Sequence, residues 1–361
     1  MELTPLLSES EIFELMKTIR SASRIVLCAH RGPDGDAVGS TLSLASYLRG
    51  LGKRVNVIMP NPYPDFLRWL PGSSNISFYD GHETAAAELI NAADLIFLLD
   101  FGTLSRVKAM GDVIGKAKAD RIMIDHHLDP DVRAARLIIS NPQASSTCEL
   151  VFRLVLQLGG YDNLTPAAAT CIYTGMMTDT GAFTYNSANP EIFYIIALLL
   201  QKGIDKDKIY RNVYNNYSEH RLRFIGYVLN EKLRFYENHH ASIFTVTREE
   251  MKRFNYIRGD SEGLVNMPLQ VKGMRLSISL REDTELDVVR VSLRSVDDFP
   301  CNEMAERFFN GGGHLNASGG ELPFPLEAAV QTAEAAIAAF RDRLDKRQYD
   351  KKQKPLSSSQ R

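Results

Sequence analysis

Short, continuously apolar segments separated by stretches of helix length are the feature that most constrains how this chain folds. Four of these segments are predicted as strands, over residues 24–30, 53–59, 94–100 and 121–125. Strands that are apolar along their whole length are buried on both faces, which is typical of a parallel sheet covered by helices on both sides. The first part of the chain is therefore predicted to have an α/β fold.

The length of 361 residues exceeds the size at which a single core usually stops growing, so more than one domain is expected. A charged amphipathic segment over residues 219–236 predicts a connecting helix that could act as a hinge, and short strands and helices follow it in a smaller α+β region. The predicted division is a catalytic domain over 1–216, a linker helix over 217–238, a second domain over 239–345 and a disordered, polar tail over 346–361.

The composition excludes some classes of protein. A formal net charge of -2 gives no field of the kind that proteins coating long duplexes use, so any nucleic-acid ligand would be short or bound by a local patch. The 4 cysteines include no close pair, which indicates buried thiols in a reducing compartment. The longest apolar run, 195–200, is too short to span a bilayer, and no signal peptide is indicated. We expect a cytoplasmic protein that does not contact membranes.

Side chains that can bind metals follow the predicted strands. Because the carboxyl ends of parallel strands meet at one edge of a sheet, these side chains should lie within reach of one another. In chain order they are His30, Asp34, Asp36, Asp100, Asp125, His126 and His127. A further aspartate, Asp179, follows a predicted helix, so that only the fold could bring it to the same edge.

Each of these residues also has a structural interpretation. The sequence Asp34-Gly35-Asp36 is typical of a turn, and Asp100 or Asp179 could cap a neighbouring element. Adjacent histidines after an apolar strand are harder to explain in this way. Together the set exceeds what one ion needs, and it favours two divalent ions of the kind used for in-line attack on phosphorus. Mixed imidazole and carboxylate ligands suit Mn²⁺, with Mg²⁺, Co²⁺ or iron as alternatives, and the lack of thiolates argues against structural zinc.

A glycine-rich stretch over residues 310–320 is the second chemical signal. Its three consecutive glycines would let backbone amides approach an anion, and His314 and Ser318 lie among them. Arg294, on a nearby predicted strand, could add a guanidinium for phosphate. A flexible loop is the alternative interpretation. Near the first site, the aromatic residues Phe183 and Tyr185 could stack on a base or pack in the core.

In this order the motifs resemble those of the DHH–DHHA1 phosphoesterases, named for the triplet seen here over residues 125–127. The resemblance runs through residues 30–36, 98–100 and 178–181, and through 311–319 in the second domain, so it covers nearly the whole chain apart from the tail. It implies a parallel-sheet DHH domain joined by a helical linker to a smaller α+β DHHA1 domain.

The resemblance also implies roles for individual residues. His30, Asp34 and Asp100 would hold one Mn²⁺, and Asp36, Asp100, His126 and Asp179 the other, with a hydroxide between the ions as the nucleophile. His127 would contact the scissile phosphate, and Asp125 would orient the histidines. The predicted catalytic residues are His127, Asp100 and Asp36. The predicted substrate-binding residues are Arg106, Arg294, Gly311, Gly312, Gly313, His314, Asn316 and Ser318.

Within the family, the size and the absence of apolar spans resemble the compact members that act as homodimers in the cytoplasm. These members degrade short single-stranded oligoribonucleotides to mononucleotides and convert 3′-phosphoadenosine 5′-phosphate (pAp) to AMP. Hydrolysis of linear or cyclic dinucleotides such as pApA or cyclic di-AMP is an alternative, and a single-strand DNA exonuclease a weaker one. A nucleotide-binding regulator with a decayed site is a different class of explanation, which the complete set of motifs argues against.

Overall fold

The structure is a computed structural model that describes residues 3–257 and 259–345. The chain divides into two compact units, with the division between Asn216 and Tyr217. The tail predicted over 346–361 lies outside the described residues. Among the residues described, no helix combines the length and the apolar character needed to cross a membrane.

The first unit is built on a parallel sheet, which confirms the predicted α/β fold. Six strands form it in the described part of the chain, in the order β3-β2-β1-β4-β5-β6. Their bounds are β1 (Arg24–Ala29), β2 (Arg54–Met59), β3 (Ile76–Phe78), β4 (Leu95–Leu99), β5 (Asp120–Asp125) and β6 (Leu137–Ser140). All neighbouring strands run parallel.

Helices cover both faces of this sheet. They are α1 (Glu9–Ser21), α2 (Gly35–Gly50), α3 (Glu83–Asn91), α4 (Ala109–Lys116), α5 (Thr147–Gln157), α6 (Pro166–Asp179), α7 (Pro190–Gln201) and α8 (Lys206–Tyr214). Alternate residues of β1 enter different cores: Ile25 and Leu27 pack with α1, α2, α5 and α6, whereas Val26 and Cys28 pack with α3 and α4. This alternation explains why the strand is apolar along its whole length.

The second unit contains a mixed sheet. Its described strands run in the order β11-β12-β10-β9-β8-β7. They are β7 (Arg234–Tyr236), β8 (Ala241–Val246), β9 (Leu276–Glu282), β10 (Val288–Ser295), β11 (Gly312–His314) and β12 (Ala317–Pro323). The helices are α9 (Glu219–Tyr227), α10 (Arg248–Arg253), α11 (Cys301–Phe308), α12 (Leu326–Ala339) and α13 (Arg341–Leu344). One face of the sheet packs on α11 and α12, where Ile278, Val291 and Leu293 enter the core.

The segment predicted as a linker helix has a different structure. Helix α9 ends at Tyr227, one π-helical turn follows over Val228–Lys232, and the chain then enters β7. The expectation of helix up to Tyr236 is therefore wrong for its last residues. Phe224 and Val228 are buried against Phe244 of β8. Because its apolar face is covered in this way, the segment packs as part of the second unit rather than as a free-standing rod.

Candidate metal centre

The turn after β1 carries the first two candidate ligands. Asp34 caps α2, where its Oδ1 accepts hydrogen bonds from the amides of Asp36 and Ala37, each at 3.0 Å. Its other oxygen, Oδ2, lies 3.8 Å from Nε2 of His30. Oδ1 of Asp34 therefore caps the helix, and Oδ2 lies beside another candidate ligand.

Asn61, which sequence reasoning missed, supports this turn. Its side-chain oxygen accepts a hydrogen bond of 2.7 Å from the amide of Gly32, and Asn61 is buried at the end of β2. The bond ties the loop after β1 to the neighbouring strand. An asparagine between two prolines at a strand end, in Pro60-Asn61-Pro62, was the available signal.

Asp100 occupies the centre of the group. It follows β4 with a left-handed φ of 66° and is buried, with 2% of its surface exposed. Its Oδ2 lies 3.3 Å from Nε2 of His30, and its Oδ1 lies 3.6 Å from Nε2 of His126. Strained backbone of this kind persists where the surrounding structure fixes it, and it is frequent at functional sites.

Both histidines present the same ring nitrogen to the carboxylates. Nδ1 of His30 lies 3.0 Å from the carbonyl oxygen of Arg31, and Nδ1 of His126 lies 3.3 Å from that of Ala144. A backbone carbonyl on one nitrogen fixes the tautomer and leaves the other nitrogen as a metal ligand. In both residues that nitrogen is Nε2.

Two more carboxylates complete the second part of the group. Nε2 of His126 lies 3.2 Å from Oδ2 of Asp179 and 3.9 Å from Oδ2 of Asp36. Asp36 is fully buried and accepts hydrogen bonds from the amides of Thr147 (2.6 Å) and Cys148 (2.8 Å) at the N-terminus of α5. Helix N-termini favour negative charge, so α5 stabilises this carboxylate.

Close packing of α2 on α6 explains how Asp179, the last residue of α6, reaches the site. A Cβ atom on Gly175 would lie 3.0 Å from Oδ1 of Asp36, and one on Gly39 would lie 2.5 Å from the carbonyl oxygen of Cys171. A Cβ on Gly35 would lie 2.3 Å from Oγ1 of Thr178. Only glycine permits these approaches. Two glycines four residues apart on α2 were the signal in the sequence, and sequence reasoning did not use it.

Asp125 contacts His127 within the triplet. Its Oδ1 lies 2.7 Å from Nδ1 of His127, and the residue is fully buried. Among the described residues, its Oδ2 has no hydrogen-bond partner. His127 is half-buried, and its Nδ1 also lies 3.7 Å from Oδ1 of Asp100. Asp125 thus orients His127, while the carbonyl of Ala144 orients His126.

Burial and mutual repulsion shift the pKa values of the carboxylates in this group. Burial, together with the charges of Asp100 and Asp179, raises the pKa of Asp36 well above its ordinary value. Burial also raises the pKa of Asp179 to about 6. For Asp100, burial acts in the same direction, but hydrogen bonding to His30 and the charges of the histidines outweigh it and hold the pKa low. Crowded carboxylates that retain protons are a setting in which a metal ion can displace those protons.

The donor atoms fit a divalent cation. Asp100 belongs to three groups of possible ligands in the described residues, and within each group the ligand atoms lie within 4.8 Å of one another. Two of them match the predicted ion sites, namely Asp100 with His30 and Asp34, and Asp100 with Asp36 and His126, and the third joins Asp100 to Asp125 and His127. Imidazole and carboxylate donors suit Mn²⁺, Mg²⁺ or Co²⁺. No thiolate takes part in any of these groups.

Arg106 lies on the same side of the sheet as this group. It sits in a 3₁₀ turn after β4, its side chain is exposed, and its carbonyl oxygen accepts a hydrogen bond of 3.1 Å from the amide of Arg31. The two arginines are therefore neighbours at the carboxyl edge.

The glycine-rich stretch, predicted as an anion-binding nest with a flexible loop as the alternative, forms a hairpin. Gly312 pairs with Gly319, and His314 with Ala317, across β11 and β12. A Cβ on Gly311 would lie 1.8 Å from the carbonyl oxygen of Gly319, so close packing of the strands explains this glycine. The nest of free amides predicted for the stretch is partly used in the sheet.

The pairing of β10, β11 and β12 shows which of the other predicted substrate-binding residues lie on the same face of the sheet. Arg294 and His314 both pair with Ala317 and so project from the same face of the sheet, with a small residue between them. Ser318 is buried on the other face and donates to the carbonyl of His314 at 2.8 Å. The side-chain amide of Asn316 donates to Oγ of Ser295 at 2.9 Å. Ser318 therefore bonds within the hairpin, and Asn316 ties the hairpin to β10.

The aromatic residues near Asp179 differ in environment. The ring of Phe183 lies 5.5 Å from that of Tyr173 and packs against the core of the first unit. Tyr185 has 52% of its surface exposed. Core packing is thus the explanation for Phe183.

The fold and the site define a two-domain protein whose parallel sheet carries a metal-competent cluster at its carboxyl edge. The model of the DHH family N-terminal domain matches residues 24–176, and that of the DHHA1 domain matches residues 242–345. The structure of an exopolyphosphatase-related protein from Bacteroides fragilis is similar, with a TM-score of 0.92 and 50% identity over 95% of this chain and 100% of that chain. The chain belongs to the DHH–DHHA1 family.

Curated relatives match along most of their length. A bifunctional oligoribonuclease and PAP phosphatase, NrnA, from Thermus thermophilus is 28% identical over 94% of this chain and 95% of that protein. NrnA from Bacillus subtilis is 26% identical over 86% of this chain and 92% of that protein. The exonuclease RecJ bound to manganese, with a TM-score of 0.51 and 15% identity, shares the fold.

Proposed function

We propose that this protein is a divalent-metal-dependent phosphoesterase that hydrolyses short oligoribonucleotides to mononucleotides and converts pAp to AMP. The observation that carries the proposal is the position of Asp100, whose two carboxylate oxygens face two histidine nitrogens in two separate donor groups. The names of the relatives, each an oligoribonuclease and PAP phosphatase, support the choice of substrate.

Two ions would be held by the residues that the sequence predicted. His30, Asp34 and Asp100 would bind one, and Asp36, Asp100, His126 and Asp179 the other, with Mn²⁺ as the proposed metal and Mg²⁺ or Co²⁺ as alternatives. When bound, such ions polarise a phosphoryl group and make water more acidic. The protein contributes the fixed positions of the ligands, which the carbonyls of Arg31 and Ala144 and the amides of α5 enforce.

His127 would act on the phosphate itself. The hydrogen bond between its Nδ1 and Asp125 fixes the ring, and its imidazole would contact the scissile phosphate. Arg106, exposed at the same edge, would add a positive charge for a second phosphate. The contact from His127 would stabilise negative charge that develops during hydrolysis, and that from Arg106 would bind the substrate.

The second domain would supply the other predicted substrate-binding residues. Arg294 and His314 share one face of its sheet. Gly311 and Gly313 pack against the neighbouring strand, whereas a Cβ on Gly312 would meet nothing closer than 3.9 Å, so the backbone of the predicted glycine stretch is open at Gly312. Neither Asn316 nor Ser318 is assigned to the substrate, because Asn316 bonds to Ser295 of β10 and Ser318 bonds to the carbonyl of His314. A homodimer and a cytoplasmic location stay predictions, and light scattering of the purified protein would test the first.

Purified protein, Mn²⁺ and two substrates test the proposal: an end-labelled RNA dimer and pAp, with products separated by chromatography. We expect mononucleotides from the dimer and AMP from pAp, and neither product from His126→Ala. Absence of both products from the wild-type protein would overturn the proposal. Cleavage of cyclic di-AMP or pApA without release of AMP from pAp would favour the dinucleotide phosphodiesterase instead.

A further inference from the structure

The loop before α5 contacts three of the proposed metal ligands. This loop, residues 144–146, with Thr147 as the first residue of the helix, contributes a carbonyl at Ala144 that lies 3.3 Å from Nδ1 of His126. At its other end, Thr147 donates its amide to Oδ2 of Asp36 at 2.6 Å and its hydroxyl to Oδ1 of Asp100 at 3.0 Å. A single residue thus connects the two carboxylates at the centre of the site.

The geometry of Thr147 restricts where its hydroxyl can lie. The residue is fully buried at the start of α5, and a β-branched side chain there has few rotamers. Its hydroxyl donates to a carboxylate, and hydrogen bonds to charged acceptors are about twice as strong as neutral ones. Asp100 is held in a left-handed conformation, so a fixed donor on Oδ1 determines the rotation of its carboxylate.

A buried network of charged side chains stabilises the loop through Ser145. Oε2 of Glu149 accepts hydrogen bonds from the amide (2.8 Å) and hydroxyl (2.7 Å) of Ser145. The other oxygen of Glu149 lies 2.7 Å from Nη2 of Arg153, whose Nη1 lies 2.7 Å from Glu191 of α7. Glu149 and Arg153 are both buried. Paired, hydrogen-bonded charges in the interior keep a fixed arrangement because breaking one contact leaves a charge unpaired.

We propose that Thr147 is a positioning residue that sets the spacing and rotation of Asp36 and Asp100, and that Glu149 keeps Thr147 in place through Ser145. The inference rests on the proposed function in one respect, namely that these carboxylates bind divalent ions. A hydroxyl with a purely structural role would affect folding stability without changing ion affinity.

Calorimetric titration of Mn²⁺ into the metal-free, full-length protein tests the proposal directly. Thr147→Val keeps the shape and removes the hydroxyl, and we expect its affinity for Mn²⁺ to fall by about 10-fold or more, as is common when a contact behind a metal ligand is lost. Thr147→Ser retains the hydroxyl and should restore most of the affinity. The matched control is Thr174→Val, a buried threonine whose hydroxyl donates to the carbonyl of Thr170 at 2.8 Å and which should bind Mn²⁺ as the wild type does.

A second variant keeps the test decisive if Thr147→Val does not fold. Glu149→Gln preserves size but weakens the contacts with Ser145 and Arg153, and its Mn²⁺ affinity should also fall. Wild-type affinity in both Thr147→Val and Glu149→Gln, with melting temperatures in chelator showing folded protein, would overturn the proposal. Wild-type protein that binds Mn²⁺ but does not cleave RNA dimers or pAp would overturn the proposed function and leave this inference in place.

Discussion

Nε2 of His126 lies 3.2 Å from Oδ2 of Asp179, although the two residues come from a strand end and a helix end that are distant in sequence. The close packing of α2 on α6, made possible by Gly39 and Gly175, brings them together. The site is therefore assembled by the carboxyl edge of a sheet and by the end of one helix that covers it.

Replacement of Asp179 by Asn tests whether it is a ligand or a helix-capping residue. The change removes the charge, and we expect Mn²⁺ affinity and turnover of pAp to fall by more than about 100-fold, because metal ligation contributes several kcal/mol to charge stabilisation. Asp205→Asn is the matched control, since Oδ1 of Asp205 caps α8 by accepting from the amide of Lys208 at 2.9 Å. Equal activities of the two variants would support a capping role for Asp179.

Gly175→Ala should displace the metal ligands through packing alone. The added Cβ would lie 2.2 Å from Sγ of Cys148 and 3.0 Å from Oδ1 of Asp36, and overpacking of this kind costs about 1–3 kcal/mol. We expect a lower melting temperature and weaker Mn²⁺ binding. Gly226→Ala, in α9, is the control: a Cβ there meets nothing within 4 Å, and the variant should be as stable as the wild type or more so. Unchanged Mn²⁺ binding in Gly175→Ala would contradict the packing explanation.

Arg294→Ala should impair substrate binding more than turnover. Loss of a charged hydrogen bond of about 1.5–3 kcal/mol predicts a KM for pAp that rises by about 10-fold or more with little change in kcat. The control is Arg307→Ala, which removes the same charge from an exposed position on α11. A KM equal to that of the control would show that Arg294 does not bind the substrate.

The lowered pKa of Asp283 predicts that the stability of the second domain depends on pH. Burial opposes its ionisation, but the amides of Glu285 and Leu286 and the guanidinium of Arg290 outweigh burial and lower its pKa to about 2. Because an unfolded aspartate has a pKa of about 3.9, the stabilisation is complete above that pH and is lost as the pH falls through about 2.

Asp283→Asn should therefore lower the melting temperature by about 2–4 °C at pH 7, and the difference from the wild type should shrink below pH 4. Calorimetry across this range measures it, with Glu285→Gln, an exposed neighbour, as the control. A difference that stays constant down to pH 3 would contradict the assignment.

The candidate site was predictable from the sequence where ligands follow apolar strands. His30, Asp100 and the triplet over residues 125–127 come after strands whose apolar pattern fixes both their burial and their direction. The helices expected on both faces of the sheet were also confirmed, because strands that are apolar along their whole length must be covered on both sides. Strands β3 and β6, with 3 and 4 residues, were missed because such short strands carry no periodic pattern.

Other features depend on tertiary contacts and had no local signal. The helical pattern predicted over residues 219–236 could not show that its last residues pair with β8. Glycines in β11 and β12 have no side chains to alternate, so the hairpin resembled a loop in the sequence. Thr147 was missed because a threonine at a helix start is usually a cap, and only the fold places its hydroxyl beside Asp100.

The release of AMP from pAp by metal-stripped protein, titrated with Mn²⁺, tests the central claim most directly. We predict no AMP from the wild type in chelator, activity that is restored as Mn²⁺ is added, and no activity from Asp100→Ala at any Mn²⁺ concentration, because both donor groups lose a shared ligand. Release of AMP by the wild type without metal, or wild-type rates from Asp100→Ala, would contradict the account.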